Sequence, residues 1–348
     1  MDTKVLTIEE HQINREFIQQ AGKFLKEGKS IAFPTETVYG LGGNALDPHA
    51  SAKIYEAKGR PSDNPLIIHI ADMDDLPYIV KEVSEQAKAL AKTFWPGPLT
   101  MIFKKSDVVP YETTGGLETV AVRMPNHPIA LELIRQGGKY VAAPSANTSG
   151  RPSPTCAKHV IEDLKGRVDV IIDGGDVGIG LESTIIDMSA EVPTILRPGA
   201  ITQEMLQQVI GDVLVDPGLQ VDKHTKPKAP GMKYKHYAPK AELIIIEGEI
   251  DKVVETINQM VLKDKKDGKK SGVIGTDDTI HLYQSQVVKS IGTRKKEETI
   301  AKHLYGVLRE FDEIDIDRIY SESFKTPKLG QAIMNRLLKA AGHHVIKV

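Results

Sequence analysis

Between Val141 and Ser153 a short apolar run ends at Pro144 and opens into Ser145, Asn147, Thr148, Ser149 and Ser153, with Gly150 and Arg151 among them. Small side chains let backbone N–H groups approach a ligand. The hydroxyls and the amide add donors, and Arg151 adds a phosphate contact. A helix predicted from Cys156 to Leu164 follows, and its N-terminal end favours an anion. Elsewhere, Lys58-Gly-Arg60 sets two cations one residue apart, and Arg123, Arg151 and Arg197 each stand beside a proline, a glycine or a strand end. A triphosphate needs such a set to neutralise it. The competing reading of Lys58 and Arg60 is compensation of a helix C-terminal dipole, which the same spacing serves.

Other candidates are weaker alone. His69 sits inside the apolar run Leu66–Ile70, where a satisfied core histidine is the default, although a strand also positions it rigidly for a small ligand. Thr35 and Thr37 flank Glu36 at a strand end and read equally as a hydroxyl-capped turn. Trp95-Pro-Gly-Pro reads as a packing corner. Gly28-Lys29-Ser30 imitates the end of a phosphate loop, but the glycine required five residues earlier is Lys23, and the segment precedes a strand. Gly174 to Ser183 is rich in glycine yet lacks the third glycine of a dinucleotide fingerprint. Ser145, His69 and Asp173 or Asp187 supply the residue types of a hydrolase triad, but no Gly-x-Ser-x-Gly elbow frames Ser145. With a single cysteine, Cys156, and no His-Glu-x-x-His, no protein metal site is expected.

The elements that must hold these residues follow from periodicity. Helices are expected over Gln12–Lys26, Asp47–Ala57, Leu76–Thr93 and His127–Arg135. Strands are expected at Ile31–Phe33, Leu66–Ile70, Leu99–Phe103, Thr119–Met124, Tyr140–Ala143, Val168–Asp173, Ile185–Asp187 and Thr194–Arg197. Strands and helices mix without strict alternation, which predicts an α+β domain over residues 1–213. Hydrophobic periodicity then vanishes, and 214–240 reads as a linker or lid. Residues 241–348 alternate strand and helix and read as a small parallel α/β domain, with Lys263–Lys270 as a solvated turn. At 348 residues the chain suits two domains, and its net charge of −2 argues against a surface that coats a polyanion. The single cysteine, the N-terminus without a signal-peptide pattern and the lack of a membrane-length apolar run predict a cytoplasmic protein without a membrane partner.

The motifs taken together resemble a known family. Pro34-Thr-Glu-Thr-Val-Tyr-Gly-Leu, Lys58-Gly-Arg-Pro, Asn64-Pro-Leu, Trp95-Pro-Gly-Pro-Leu-Thr and Ser145-Ala-Asn-x-Ser-Gly are similar to the YrdC-type domain of the threonylcarbamoyladenylate synthase family. Gly231-Met-Lys-Tyr-Lys-His-Tyr-Ala-Pro and Leu329-Gly-Gln-Ala-Ile-Met-Asn-Arg resemble its longer, two-domain form. The resemblance implies a twisted mixed sheet with flanking helices enclosing a cavity, followed by a Rossmann-like domain. It implies that L-threonine, bicarbonate and ATP are joined with release of pyrophosphate, with Mg2+ accompanying ATP. The product would feed threonylcarbamoyladenosine formation beside the tRNA anticodon, through a downstream transferase complex that links the enzyme to tRNA indirectly. By the same resemblance Thr35, His69, Arg123, Ala143 and Ser183 would hold threonine. Arg60, Asn64, Thr119, Ser145, Asn147, Ser153, Arg197 and Tyr237 would line the ATP side, and Lys58 and Arg60 would stabilise charge at the carbamate and phosphate. The rival reading is a nucleotide- or RNA-binding module of the same fold without turnover.

Overall fold

The structure is a computed structural model that describes residues 1–217 and 237–348. The chain forms two compact units, Met1–Ser149 with Ser153–Tyr234, and Gly150–Pro152 with Lys235–Val348. The first unit is built on one mixed sheet. Its strands are β1 (Lys4–Thr7), β2 (Ile31–Phe33), β3 (Gly40–Asn44), β4 (Ile67–His69), β5 (Leu99–Lys104), β6 (Thr119–Arg123), β7 (Val141–Ala143), β8 (Val170–Asp173), β9 (Thr184–Asp187), β10 (Thr194–Arg197) and β11 (Leu214–Val215). They lie in the order β1-β8-β2-β3-β7-β4-β6-β5-β9-β10-β11. Parallel pairs such as β4 with β6 neighbour antiparallel ones such as β4 with β7.

Because side chains alternate across a strand, the sheet feeds two large cores and a smaller cluster of Ile67, Ile102, Ala121, Ile185 and Leu196. In β2, Ile31 and Phe33 enter one core with Ile18, Leu25 and Leu133, while Ala32 enters the other with Ile54, Leu90 and Met101. Helices Arg15–Lys26 and Pro128–Gln136 supply the first set, and helices Pro48–Lys58 and Glu85–Phe94 contribute to the second. The helix expected from Gln12 starts at Arg15, because the Asn14 side chain caps it by accepting from the Phe17 N–H at 3.2 Å.

Two local expectations need correction, and one stretch gains an element that spacing does not show. The helix expected across Leu76–Thr93 is two helices, Leu76–Ile79 and Glu85–Phe94. Val80 turns extended to bridge Lys105, and Ser84 caps the second helix on the Ala87 N–H. The glycine-rich run after Tyr39 is a true strand, β3. A Cβ at Gly42 would stand 2.7 Å from Val141 Cγ1 and 2.8 Å from a Phe33 ring carbon, so close packing, not turn chemistry, requires glycine there. In the second unit, the charged run after Leu262 is not a turn at its start. Helix Ile250–Lys266 continues through it, because Val253, Ile257, Val261 and Asp264 form one buried face.

The second unit holds a wholly parallel sheet of β12 (Glu242–Glu247), β13 (Ser271–Gly275), β14 (Val287–Ser290), β15 (Arg318–Glu322) and β16 (Val345–Lys347), in the order β14-β13-β15-β12-β16. Helices Ile250–Lys266, Glu297–Asp312 and Gly330–Ala340 accompany it, which makes it Rossmann-like. Most of the segment 214–240 lies outside the described residues, including Gly231 to His236 of the expected lid. Among the described residues no helix is long and apolar enough to cross a membrane.

Candidate functional site

Lys58 ends helix Pro48–Lys58, and Gly59 beside it takes φ +61°, a left-handed cap that suits glycine. The dipole reading predicts that Lys58 faces its own helix end. Instead its buried Nζ donates to the carbonyl oxygens of Ser145 and Asn147 and lies 3.4 Å from Asn147 Oδ1. The Ser149 N–H donates back to the Lys58 carbonyl at 2.9 Å. Within the loop, Ser145 Oγ donates to Asn147 Oδ1 at 2.6 Å, and Asn147 Nδ2 donates to the Thr148 carbonyl at 2.8 Å. The Lys-x-Arg and Ser-x-Asn motifs, far apart in sequence, therefore meet.

Arg60 turns to the next loop, where Nε reaches the Asn64 carbonyl and Nη2 the Pro65 carbonyl, each at 3.3 Å. Asn64 is buried, and its Oδ1 accepts no hydrogen bond. Thr119 opens β6 at the end opposite Arg123. Extending the parallel register from Ile67 beside Ala121 sets Thr119 level with Pro65, and so near the Arg60 loop.

A second cluster surrounds Arg123, which is buried at the end of β6. Its Nη1 donates to Thr37 Oγ1 at 2.8 Å, its Nε to the Gly97 carbonyl at 3.3 Å, and its Nη2 stands 2.7 Å from Glu36 Oε2. The corner Trp95–Pro98 thus supplies an acceptor as well as packing. Thr35 Oγ1 lies 2.9 Å from Thr37 Oγ1 and donates to the Val38 carbonyl at 2.7 Å. His69 pairs in register with Arg123, and its ring meets Phe33 edge-on at 6.2 Å. Burial first, and the Arg123 charge second, push the His69 pKa down to about 3. The imidazole is neutral near pH 7. Its Nδ1 lies 3.1 Å from the Ile67 carbonyl, and the Val141 backbone is a second partner of the ring. Ala143 is on the same sheet, opposite Ile67 in β4.

A third group adjoins through β5, where Thr100 pairs in register with Arg123. Thr100 Oγ1 lies 2.7 Å from Ser183 Oγ. Arg197 donates through Nε to the Ser183 carbonyl at 3.0 Å and through Nη2 to Ser183 Oγ at 3.1 Å. Ser153 donates to Glu182 Oε1 at 2.5 Å, which joins the opening loop to the glycine-rich one. Tyr237 belongs to the second unit, where it has φ +64° and stacks on Tyr305 with centroids 5.1 Å apart. Arg151 also falls in that unit, 3.6 Å from Asp312 Oδ2.

Sequence reasoning passes over Glu36, Thr37, Thr100 and Glu182 as site residues. Glu36 and Thr37 lie in a stretch already notable for hydroxyls, but nothing in spacing ties them to Arg123. The hydrolase triad is not supported. His69 Nδ1 is spent on a backbone carbonyl, and Ser145 Oγ donates to Asn147, not to His69. Among the described residues no group of three or more His, Cys, Asp or Glu side chains could hold a metal ion.

Buried cations braced by carbonyls and hydroxyls at strand ends define a site for small anions, with carboxylate and phosphate as the natural classes. Comparison with known proteins carries this further. Residues 23–199 match the Sua5–YciO–YrdC family model, described as telomere recombination. Residues 201–342 match the model of the threonylcarbamoyl-AMP synthase C-terminal domain. The chain is 51% identical to the threonylcarbamoyl-AMP synthase of Pyrococcus abyssi, over 95% of this chain and 96% of that one. It is 52% identical to the Bacillus subtilis protein of the same name, over 95% and 94%. A crystal structure of P. abyssi Sua5 complexed with L-threonine matches with a TM-score of 0.95 and 49% identity, covering 99% of this chain and all of that one. The chain belongs to the Sua5–YrdC family, in its form with the Sua5 C-terminal domain.

Proposed function

We propose that this chain is an ATP-dependent threonylcarbamoyl-AMP synthase. It converts L-threonine, bicarbonate and ATP into L-threonylcarbamoyladenylate and pyrophosphate, for threonylcarbamoyladenosine formation in tRNA. The observation that carries the reading is that one segment, Thr37–Gly40, ties two clusters together: the buried guanidinium of Arg123 donates to Thr37, and Gly40 bridges Ser145 in the loop gripped by Lys58. The first suits an amino-acid carboxylate, and the second suits a nucleotide phosphate.

The chemistry asks little of the protein in covalent terms. Zwitterionic threonine and bicarbonate combine to a carbamate with loss of one water and one proton to solvent. A carbamate oxygen then attacks the α-phosphate, and pyrophosphate leaves from the opposite side. No enzyme nucleophile is needed; catalysis is positioning and charge neutralisation. In this scheme Arg123 takes the threonine carboxylate. Thr35, His69, Ala143 and Ser183 hold the rest of the amino acid. Arg60, Asn64, Thr119, Ser145, Asn147, Ser153 and Arg197 line the nucleotide side. Lys58 and Arg60 stabilise the charge that builds on the carbamate and the phosphate. Mg2+, arriving on the nucleotide, would neutralise the departing pyrophosphate. The carbamate decomposes in water, so a site of buried polar groups protects it. The reaction belongs in the cytoplasm, and its product passes to a separate transferase complex that acts on tRNA.

The test is a pyrophosphate-release assay on the purified full chain. Release is expected only when threonine, bicarbonate and ATP are all present. Release indifferent to threonine would refute the reading. Salt-sensitive RNA binding without any release would favour the RNA-binding module instead.

A further inference from the structure

Glu36 takes no part in the scheme above, yet its carboxylate lies at the centre of the Arg123 cluster. It stands on the loop after β2, and its backbone is fixed from the other side: the Ile179 N–H donates to the Glu36 carbonyl at 2.8 Å and the Gly180 N–H to the Thr37 carbonyl at 3.1 Å. Its Oε2 is 2.7 Å from Arg123 Nη2, and the two side chains are only 13% and 5% exposed. For all that proximity, neither Glu36 oxygen accepts an aligned hydrogen bond, and Arg123 Nη2 donates none. The Arg123 bonds to Thr37 and Gly97, by contrast, are directional. His127 also bears on Glu36, but burial holds its pKa below the ordinary range, so it brings little compensating charge; its Nδ1 too is buried without a hydrogen bond.

A buried ion pair repays its desolvation only when its geometry is good and its remaining lone pairs are satisfied. This one meets neither condition. The guanidinium lacks the side-on carboxylate that its fork is shaped for, and the carboxylate lacks donors. A zwitterionic α-amino acid carries both missing partners on one carbon. We infer that Glu36 is the residue that recognises the substrate's α-ammonium group. In the ligand-free protein it lends its charge to Arg123, and it exchanges that contact for the ammonium when the substrate carboxylate takes the guanidinium. One poorly aligned ion pair is replaced by two aligned ones. The inference rests on the reading that the substrate is threonine and adds a specificity residue to it. It also places the reacting nitrogen. After the carbamate forms, that nitrogen keeps one N–H, and Glu36 remains its acceptor.

The consequence is a crossover that a purely structural Glu36 would not produce. Titration calorimetry on the full chain compares L-threonine with (R)-3-hydroxybutanoate, which has the same carboxylate and hydroxyl but no amine. In Glu36→Gln, L-threonine is expected to bind about tenfold more weakly, the worth of one charge-assisted hydrogen bond. The amine-free acid is expected to bind more tightly than to wild type, because the internal competitor for Arg123 has lost its charge. Weakening of both ligands, or of neither, would overturn the inference. Circular dichroism checks that Glu36→Gln is folded. If it is not, Glu36→Asp is put through the same pair of titrations, with a smaller crossover expected and a parallel shift again refuting. Wild-type protein that fails to bind threonine at all would sink the substrate assignment and not the role of Glu36, so the two failures are distinguishable.

Discussion

Lys58 braces the Ser145–Asn147 loop and, in the proposed scheme, stabilises charge at the phosphate; one substitution with two readouts tests both. In Lys58→Met a chain of similar length remains, but the Ser145 and Asn147 carbonyls lose their cationic donor. Hydrogen bonds to a charged group contribute about 1.5–3 kcal/mol each, and water entering the site recovers part of the pair, so the loop should loosen by about 3 kcal/mol. That corresponds to roughly a hundredfold rise in the population of the opened loop. The reporter is amide hydrogen exchange at Ala146, whose N–H donates to the Tyr39 carbonyl at 2.8 Å and is protected only while the loop is closed. Exchange at Ala146 should quicken by about that factor, while amides of helix Arg15–Lys26 stay unchanged. Pyrophosphate release should fall by about a hundredfold or more, since both the loop and its charge are affected. Unchanged exchange at Ala146 would refute the brace. Wild-type pyrophosphate release would remove Lys58 from the mechanism.

Two further outcomes follow from buried titratable groups. His69 is neutral in the folded protein, with its pKa lowered from 6.5 to about 3, so the unfolded chain binds the extra proton first. Stability from this group is complete above pH 6.5 and is lost as pH falls toward 3, at up to about 1.4 kcal/mol per pH unit. Urea midpoints measured against pH should diverge between wild type and His69→Gln across that window, and parallel curves would contradict it. Asp264 is the second case. Burial pushes its carboxyl up, but hydrogen bonds from Ser271, Tyr320 and Arg318 outweigh this and hold it below the usual range. Its contribution is present above the unfolded pKa near 4 and fades as pH drops through the lower folded value. Asp264→Asn should cost the second unit about 2–4 kcal/mol at pH 7, read as faster exchange in β13 and β15, with no change if the cluster is only ornamental.

What sequence alone could reach was set by how local each signal is. The strands at Ile31, Leu99 and Thr119 and most helices were legible because apolar spacing reports burial directly. β3 was not, because Gly40-Leu-Gly-Gly carries almost no side-chain pattern; only the neighbouring Phe33 and Val141 explain its glycines. The split at Val80 depends on a bridge to Lys105, a partner that spacing cannot name. Asp264 was hidden in a lysine-rich run that looks solvated, although it continues the buried face of its helix. At the site, residue types pointed to Lys58, Arg60, Ser145 and Asn147, and the structure brings Lys58 onto the last two. Arg123 was legible as a cation at a strand end. Its partners Glu36, Thr37 and Gly97 were not, since the first two reach it from the loop after β2 and the third from the corner before β5.

The buried cations share a feature that bears on how the site can work. Lys58 is held by the carbonyls of Ser145 and Asn147, Arg123 by Thr37, Gly97 and Glu36, and Arg197 by Ser183. Binding an anion at any of them is therefore an exchange of partners, and the affinity is a difference between two sets of contacts. A ligand with a single charge gains little from such an exchange, because it displaces an oxygen already in place. A ligand that satisfies several cations and their displaced partners together gains from each exchange at once. Arg123 with Glu36 rewards a carboxylate only if an ammonium comes with it. In the proposed scheme Lys58 and Arg60 would reward a phosphate only if the Ser145–Asn147 loop held the rest of the nucleotide. Selectivity would then arise from the protein's own prior pairing: free phosphate or acetate should compete poorly with threonine and ATP even though every cation they need is present.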